Sequence, residues 1–120
     1  MDKKTNLEII SKESVAVVVF KDTSISNLES IADASKQIKK FIQENYPNRI
    51  IFDFGRVKFF SSQVLGLVLD IRTKLETYDG EVVISAINPQ LHRVFKITNL
   101  DKIFRFFPDQ ESAIKAVSTN

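Results

Sequence analysis

Two adjacent serines, Ser61 and Ser62, occupy the position in the sequence that is best suited to regulatory chemistry. They follow a compact apolar run at residues 50–54 and precede apolar residues that recur at helical spacing from Val64 to Leu75. A serine at a helix start is most often a plain cap, because its side chain accepts a hydrogen bond from an unpaired backbone N–H. The same N–H groups and the positive end of the helix dipole also favour an anion, so phosphorylation is the chemistry that fits. Residue type alone leaves both interpretations open.

Asp53, in the apolar run before these serines, is a second candidate, since an aspartate near the end of an inner strand is also typical of a two-component receiver. A receiver needs in addition an acidic pair after its first strand, to hold magnesium, and a lysine after a later strand. Asp22 stands alone at the first of these positions. We therefore predict that Asp53 is a strand residue paired at the end of the sheet. A receiver-like phospho-acceptor, or a small α/β enzyme using Asp53, is kept as an alternative.

The remaining polar residues do not form a catalytic or metal-binding set. His92 is the only histidine, and the chain has no cysteine that could join it at a metal. It is predicted to be a surface residue of a helix. The three glycines are too scattered for a dinucleotide-binding fingerprint. We expect no cofactor, no metal and no enzymatic activity.

The composition is that of one ordinary domain spanning residues 1–120, large enough to bury a core. The absence of cysteine excludes a disulfide framework and a thiolate nucleophile. A net charge of +2, from 17 basic and 15 acidic residues, does not predict a nucleic-acid partner. No apolar stretch approaches the ~20 residues of a membrane helix, and the polar N-terminus has no signal core. We expect a cytoplasmic protein that binds neither nucleic acid nor membrane.

The apolar patterns predict an α/β domain with a mixed sheet of four or five strands and about four helices. Two strands at residues 7–10 and 15–20 are predicted to form a hairpin, and the second is apolar throughout, which indicates burial on both faces. Further strands are predicted at residues 48–54, 81–87 and 103–107, alternating with helices.

Helix ends can be predicted from capping residues. Ser26 and Glu29 have the spacing of a capping box, which predicts a helix start with an inward apolar stripe beginning at Leu28. Gly80 is predicted to end the helix after Ser62 in the left-handed conformation. Asn88, followed by proline, predicts the next helix start, and Asn99 a left-handed exit from that helix.

Phe59 and Phe60 are adjacent, so in a strand their rings point to opposite sides. Burial of both rings in the core is the default expectation. If one ring is exposed, it becomes an anchor beside Ser62 at a binding surface, since aromatic residues concentrate interface energy.

The order of strand, short loop, paired serines and apolar helix resembles the STAS domain of anti-sigma factor antagonists. In that family the loop usually reads Asp-Ser-Ser-Gly-Leu-Gly, and a partner kinase phosphorylates the first serine. In this chain Ser61 takes the position of the acid, Ser62 that of the acceptor and Gln63 that of the second serine. The Gly-Leu-Gly positions are held by Val64, Leu65 and Gly66. A second stretch, Ile97-Thr98-Asn99-Leu100-Asp101-Lys102-Ile103-Phe104, is similar to the family's Thr-Gly-Leu-Asp-Lys-Leu-Phe.

The resemblance implies a non-catalytic switch protein that captures an anti-sigma factor serine kinase when Ser62 is unmodified. Phosphorylation of Ser62, with ATP bound to the kinase, would release the partner, and a serine phosphatase would reset the cycle. The implied binding surface comprises Phe60, Ser61, Ser62, Gln63 and Val64.

Departures from the family pattern leave alternatives open. Ser61 replaces the acid, so phosphorylation at Ser61 is one alternative, and Val64 stiffens the first helical turn. The family's Gly-x-x-Asp is replaced by Lys21-Asp22-Thr23-Ser24. A second alternative is therefore a STAS scaffold, or a subunit of a signalling or transport complex, that is never phosphorylated.

Overall fold

The computed structural model describes residues 6–118, which form a mixed sheet with helices packed on both faces. Its strands are β1 (Leu7–Lys12), β2 (Val15–Phe20), β3 (Ser24–Ile25), β4 (Arg49–Asp53), β5 (Phe59–Phe60), β6 (Glu81–Ser85) and β7 (Arg105–Phe107). Its helices are α1 (Leu28–Asn45), α2 (Gln63–Glu76), α3 (Pro89–Ile97) and α4 (Gln110–Ser118), with a 3₁₀ turn at Leu100–Lys102. The predicted α/β class, with a mixed sheet and four helices, is confirmed.

The main sheet has five strands in the order β1-β2-β4-β6-β7. Strands β1 and β2 form the predicted antiparallel hairpin, and all other neighbours in this sheet are parallel. The short strands β3 and β5 form a separate parallel pair, which the sequence patterns did not predict. The parallel strands of the main sheet all have their carboxyl ends on the same side. The loops that follow these strands therefore lie close together.

The core is divided between the two faces of the sheet. On one face, alternate residues of β2 such as Val18 and Phe20 join a large cluster with helices α1, α2 and α3. On the other face, Val17, Ile51 and Val83 form a smaller cluster under α4. This two-sided burial explains why β2 is apolar at every position.

Two of the predicted helix caps are wrong. Helix α1 is capped by Asn27, whose side chain accepts a hydrogen bond from the backbone N–H of Ser30 at 3.0 Å, and not by Ser26. After α2, the left-handed residue is Asp79, with φ of 65°, whereas Gly80 does not have a positive φ. An asparagine caps at least as well as a serine, and aspartate tolerates the left-handed region through its short polar side chain.

Two other predicted helix ends are confirmed. The side chain of Asn88 accepts a hydrogen bond from the backbone N–H of Leu91 at 2.9 Å, with proline at the first helical position. Asn99, which follows α3, has the left-handed backbone conformation, with φ of 62°. Both asparagines therefore act through local backbone chemistry that can be recognised without tertiary information.

Candidate functional site

The Ser62 loop, defined here as residues 58–63, is attached to the domain by backbone hydrogen bonds. The N–H groups of Lys58 and Phe59 both donate to the carbonyl of Thr23. Strand β5 then pairs with β3, and the N–H of Ser61 donates to the carbonyl of Ile25 at 3.0 Å. The backbone on the N-terminal side of Ser62 is therefore fixed by its neighbour strand.

The two phenylalanines of β5 have opposite environments. Phe60 is 5% exposed and makes edge-to-face contacts with Phe54 and Phe95. Phe59 is 54% exposed. The expectation that both rings are core is wrong, and Phe60 is wrong as a surface contact, because the parallel pairing of β5 turns its ring inward. Phe59 is the exposed aromatic of this loop.

The two serines also differ in accessibility. The Oγ of Ser61 is enclosed and has no hydrogen-bond partner among residues 6–118. Ser62 is exposed, and its side chain makes no capping hydrogen bond. The expected serine cap is therefore not formed. Of the two hydroxyls, only that of Ser62 is open to an enzyme from solution in this conformation.

Helix α2 begins with backbone N–H groups that have no hydrogen-bond partner among the described residues. Its first hydrogen bonds run from Val64 N to the carbonyl of Ser61 and from Leu65 N to the carbonyl of Ser62, each at 3.0 Å. Within the described chain, the N–H groups of Ser62 and Gln63 donate no hydrogen bond. These free donors and the helix dipole can accommodate a negative group on Ser62.

The first residues of α2 differ in exposure according to their position on the helix. Gln63 is exposed, whereas Val64 is fully buried, so Val64 is wrong as a partner contact. Gly66 lies one turn after Ser62 on the same helix face. A Cβ added at Gly66 would meet nothing within 4 Å, so neither internal packing nor a positive φ requires glycine there.

Leu28, the first residue of α1, lies three residues after Ile25, whose carbonyl binds the loop. It was expected to face the core but is 63% exposed. The apolar stripe of α1 begins instead at Ile31, which is buried. Leu28 is thus an exposed apolar residue at this helix start, and helical spacing alone could not exclude it from the buried stripe.

Asp53 is buried at the end of β4, and both of its carboxylate oxygens are hydrogen bonded. Oδ1 accepts from the backbone N–H of Gly55 and Oδ2 from the side-chain amide of Gln110, each at 2.7 Å. The prediction that it is a paired strand residue is confirmed. The antiparallel β1 also differs from the parallel order of receiver-type folds, which removes the structural basis for the receiver alternative.

No other group of the described residues forms a chemical site. His92 is half-buried in α3 and lies against the ring of Phe106, with centroids 4.2 Å apart. In residues 6–118, no group of three or more histidine, cysteine, aspartate or glutamate side chains could hold a metal ion. Within the same range, each helix is too short or too polar to cross a bilayer.

Comparisons with known proteins bear on the family and the fold of this chain. A model of the STAS domain family matches residues 7–113. Over 71 residues the chain is 32% identical to BtrV of Bordetella bronchiseptica, named as an anti-sigma factor antagonist. That alignment covers 59% of this chain and 61% of BtrV.

Solved structures with the same fold include an anti-sigma factor antagonist and an anion transporter. The anti-sigma factor antagonist SpoIIAA in its unphosphorylated form superimposes with a TM-score of 0.84 at 21% identity, covering 96% of this chain and 98% of SpoIIAA. The murine anion transporter Slc26a9 superimposes with a TM-score of 0.69 at 14% identity, covering 92% of this chain but 19% of the transporter. Both likenesses are likenesses of fold. The match of the family model over residues 7–113 shows that this chain belongs to the STAS domain family.

Proposed function

We propose that this protein is an anti-sigma factor antagonist that works as a non-catalytic phospho-switch in the cytoplasm. Unmodified, it binds an anti-sigma factor serine kinase; phosphorylation of Ser62 by that kinase releases it, and a serine phosphatase restores the binding form. The observation that carries the proposal is the exposed Ser62 hydroxyl, which makes no capping bond at the start of α2. The names of BtrV and SpoIIAA support the same role.

The release step follows from the charge of a phosphate. Phosphorylation adds about 1.5 to 2 negative charges at neutral pH. The domain tolerates them, because the free N–H groups of Ser62 and Gln63 and the helix dipole favour an anion. A partner packed on the loop would instead bury an unpaired charge. A loss of about 3 kcal/mol is enough to weaken binding more than a hundredfold.

The surface that binds the kinase is built from the exposed residues of this region. Phe59 supplies an aromatic anchor, and Ser62 and Gln63 supply polar contacts beside it. Gly66 keeps the helix surface next to Ser62 flat. Glycine in a helix costs about 1 kcal/mol relative to alanine, so its presence where the fold does not need it is explained by close approach of a partner.

Phosphorylation with the purified cognate kinase and ATP tests the proposal directly. Intact mass should show one added phosphate on the wild-type protein and on Ser61→Ala, and none on Ser62→Ala. Ser61→Ala is the matched control, because it removes the neighbouring hydroxyl while leaving the acceptor. Modification of Ser62→Ala to the wild-type extent would refute the assignment of the acceptor.

A second candidate function is a STAS scaffold or transporter subunit that is never phosphorylated. The likeness to the Slc26a9 fold favours it, as does Ser61 at the position where the family has an acid. Under this alternative the wild-type protein gains no phosphate from any kinase encoded beside it, yet still binds its partner. Binding that is unaffected by both serine substitutions and by incubation with kinase and ATP would support the scaffold.

A further inference from the structure

The hairpin edge of the main sheet is formed by β1 and has features of its own. Among the described strands, β1 and β7 are the two edges of the main sheet. Strand β7 has only three residues, whereas β1 has six and pairs on one side only. A long edge strand offers unpaired backbone groups to another strand. Edge β1 is therefore the better site for strand addition.

The alternation of hydrogen-bonded pairs in the hairpin determines which backbone groups of β1 point away from β2. The N–H of Lys21 donates to the carbonyl of Asn6, which makes this a hydrogen-bonded pair of the antiparallel ladder. Bonded pairs alternate with non-bonded pairs, so the backbone groups of Leu7, Ile9 and Ser11 point away from β2. These residues present donors and acceptors to a further strand.

On the face of β1 that is directed towards α4, an apolar side chain lies between an acidic and a basic one. Ile10 is 45% exposed and pairs with Val17, which belongs to the cluster under α4. Glu8 and Lys12 lie two residues to either side of it on the same face. Ile10 also lines a groove of about 500 Å³ between the hairpin and α4. The strand thus reads acid, isoleucine, base.

We propose that a second copy of this chain pairs with β1 in antiparallel fashion about a two-fold axis through Ile10. In this register Ile10 lies opposite Ile10 of the second copy. Glu8 of each copy lies opposite Lys12 of the other, which gives two ion pairs. It also brings the outward backbone groups of Ile9 opposite those of Ser11. Shifting the register by two residues sets a charge against isoleucine, so charge complementarity selects this pairing. Two five-stranded sheets become one continuous sheet.

Charge exchange tests this pairing. Glu8→Lys and Lys12→Glu should each weaken dimerisation about tenfold or more, because each faces like charges twice. A mixture of the two variants should form heterodimers, since both of its cross-strand pairs are then attractive. Sedimentation of the wild type up to about 1 mM covers the weak association expected of a small interface. Native mass spectrometry with one variant isotope-labelled identifies the mixed species.

Lys12→Glu is the more informative single variant, because Glu8 also forms an ion pair with Lys21 at 3.2 Å within the chain. A backbone test is independent of charge. Ser11→Pro removes an outward N–H without removing a β1–β2 hydrogen bond and should abolish the dimer, whereas Ser11→Thr should retain it. Circular dichroism verifies that each variant is folded. A monomeric wild type, a dimer indifferent to Lys12→Glu and Ser11→Pro, or charge variants that do not associate when mixed would overturn the proposal.

Discussion

Asp53 and Ser62 both carry groups that proteins phosphorylate, but the two side chains differ in burial and in hydrogen bonding. Asp53 is buried, and both of its oxygens accept hydrogen bonds from Gly55 and Gln110. Ser62 is exposed, and its hydroxyl caps nothing. By accessibility and by unused hydrogen-bonding capacity, Ser62 is the better candidate acceptor of the two. The following changes test that contrast.

The largest effect is expected within β5, where buried and exposed residues are adjacent. Phe60→Ala should lower the free energy of unfolding by about 3–5 kcal/mol, because it opens a cavity beside Phe54 and Phe95. Phe59→Ala should change stability by about 0.5 kcal/mol or less. Urea unfolding measures both. In kinase binding the order should reverse: a folded Phe59→Ala with undiminished affinity would remove Phe59 from the binding surface.

A charge at Ser62 should act on the partner and not on the fold. Ser62→Asp should weaken binding of the unphosphorylated protein to its kinase by up to about a hundredfold, or about 3 kcal/mol, through a buried unpaired charge. Ser62→Asn, similar in size but neutral, is the matched control. Isothermal titration calorimetry gives the affinities. Equal affinities for the two variants would contradict a switch based on charge.

Removing the Asp53 carboxylate should act on the fold and not on phosphorylation. Asp53→Ala leaves the N–H of Gly55 and the amide of Gln110 without their acceptor, at a cost of about 1–3 kcal/mol in the free energy of unfolding. Gln110→Ala should cost less, because it removes one of the two bonds. Acetyl phosphate with magnesium should leave Asp53 unlabelled. Labelling detected by intact mass would restore the receiver alternative.

Replacing Gly66 should change stability and kinase binding in opposite directions. Gly66→Ala should raise the free energy of unfolding by about 0.5–1 kcal/mol, because the new methyl group meets nothing in the domain. The same change should weaken kinase binding if a partner approaches the helix there. Thr73→Ala, at an exposed position farther along α2, controls for general effects on the helix. A stabilised variant with normal affinity would show that this face is not contacted.

The smallest effect concerns pH at the start of α4, which carries Gln110. The hydrogen bond from the backbone N–H of Ser112 lowers the pKa of the Asp109 carboxyl below its usual 3.8. The stabilisation is therefore complete above pH 3.8 and is lost as the pH falls through the lowered pKa. Asp109→Asn keeps a capping acceptor but does not titrate, so its unfolding midpoint should depend less on acidic pH. Identical acid profiles would contradict this.

The sequence predicts the main elements well because their signals are local. Apolar runs define the central strands, helical spacing defines α2, and asparagines define both ends of α3. The capping box at Ser26 failed because Asn27, the next residue, competes for the same helix start and is at least as good a cap.

The candidate site was predictable in position but not in orientation. Local sequence identifies Ser62 as a helix start, yet which ring of β5 faces the core depends on pairing with β3, far along the chain. That pairing sets Ile25 opposite Phe60 and Ser24 opposite Phe59. Non-local pairing therefore decided both the exposed aromatic and the enclosed Ser61 hydroxyl, and no local pattern contains that information.

The missing side-chain cap at α2 has a consequence for covalent modification of Ser62. Because the Ser62 side chain holds no part of the fold together, attaching or removing a group there leaves the internal bonding pattern intact. Modification then has no folding equilibrium to oppose it. A group attached to Ser62 would change the surface of the domain alone, so its addition and removal would not require unfolding.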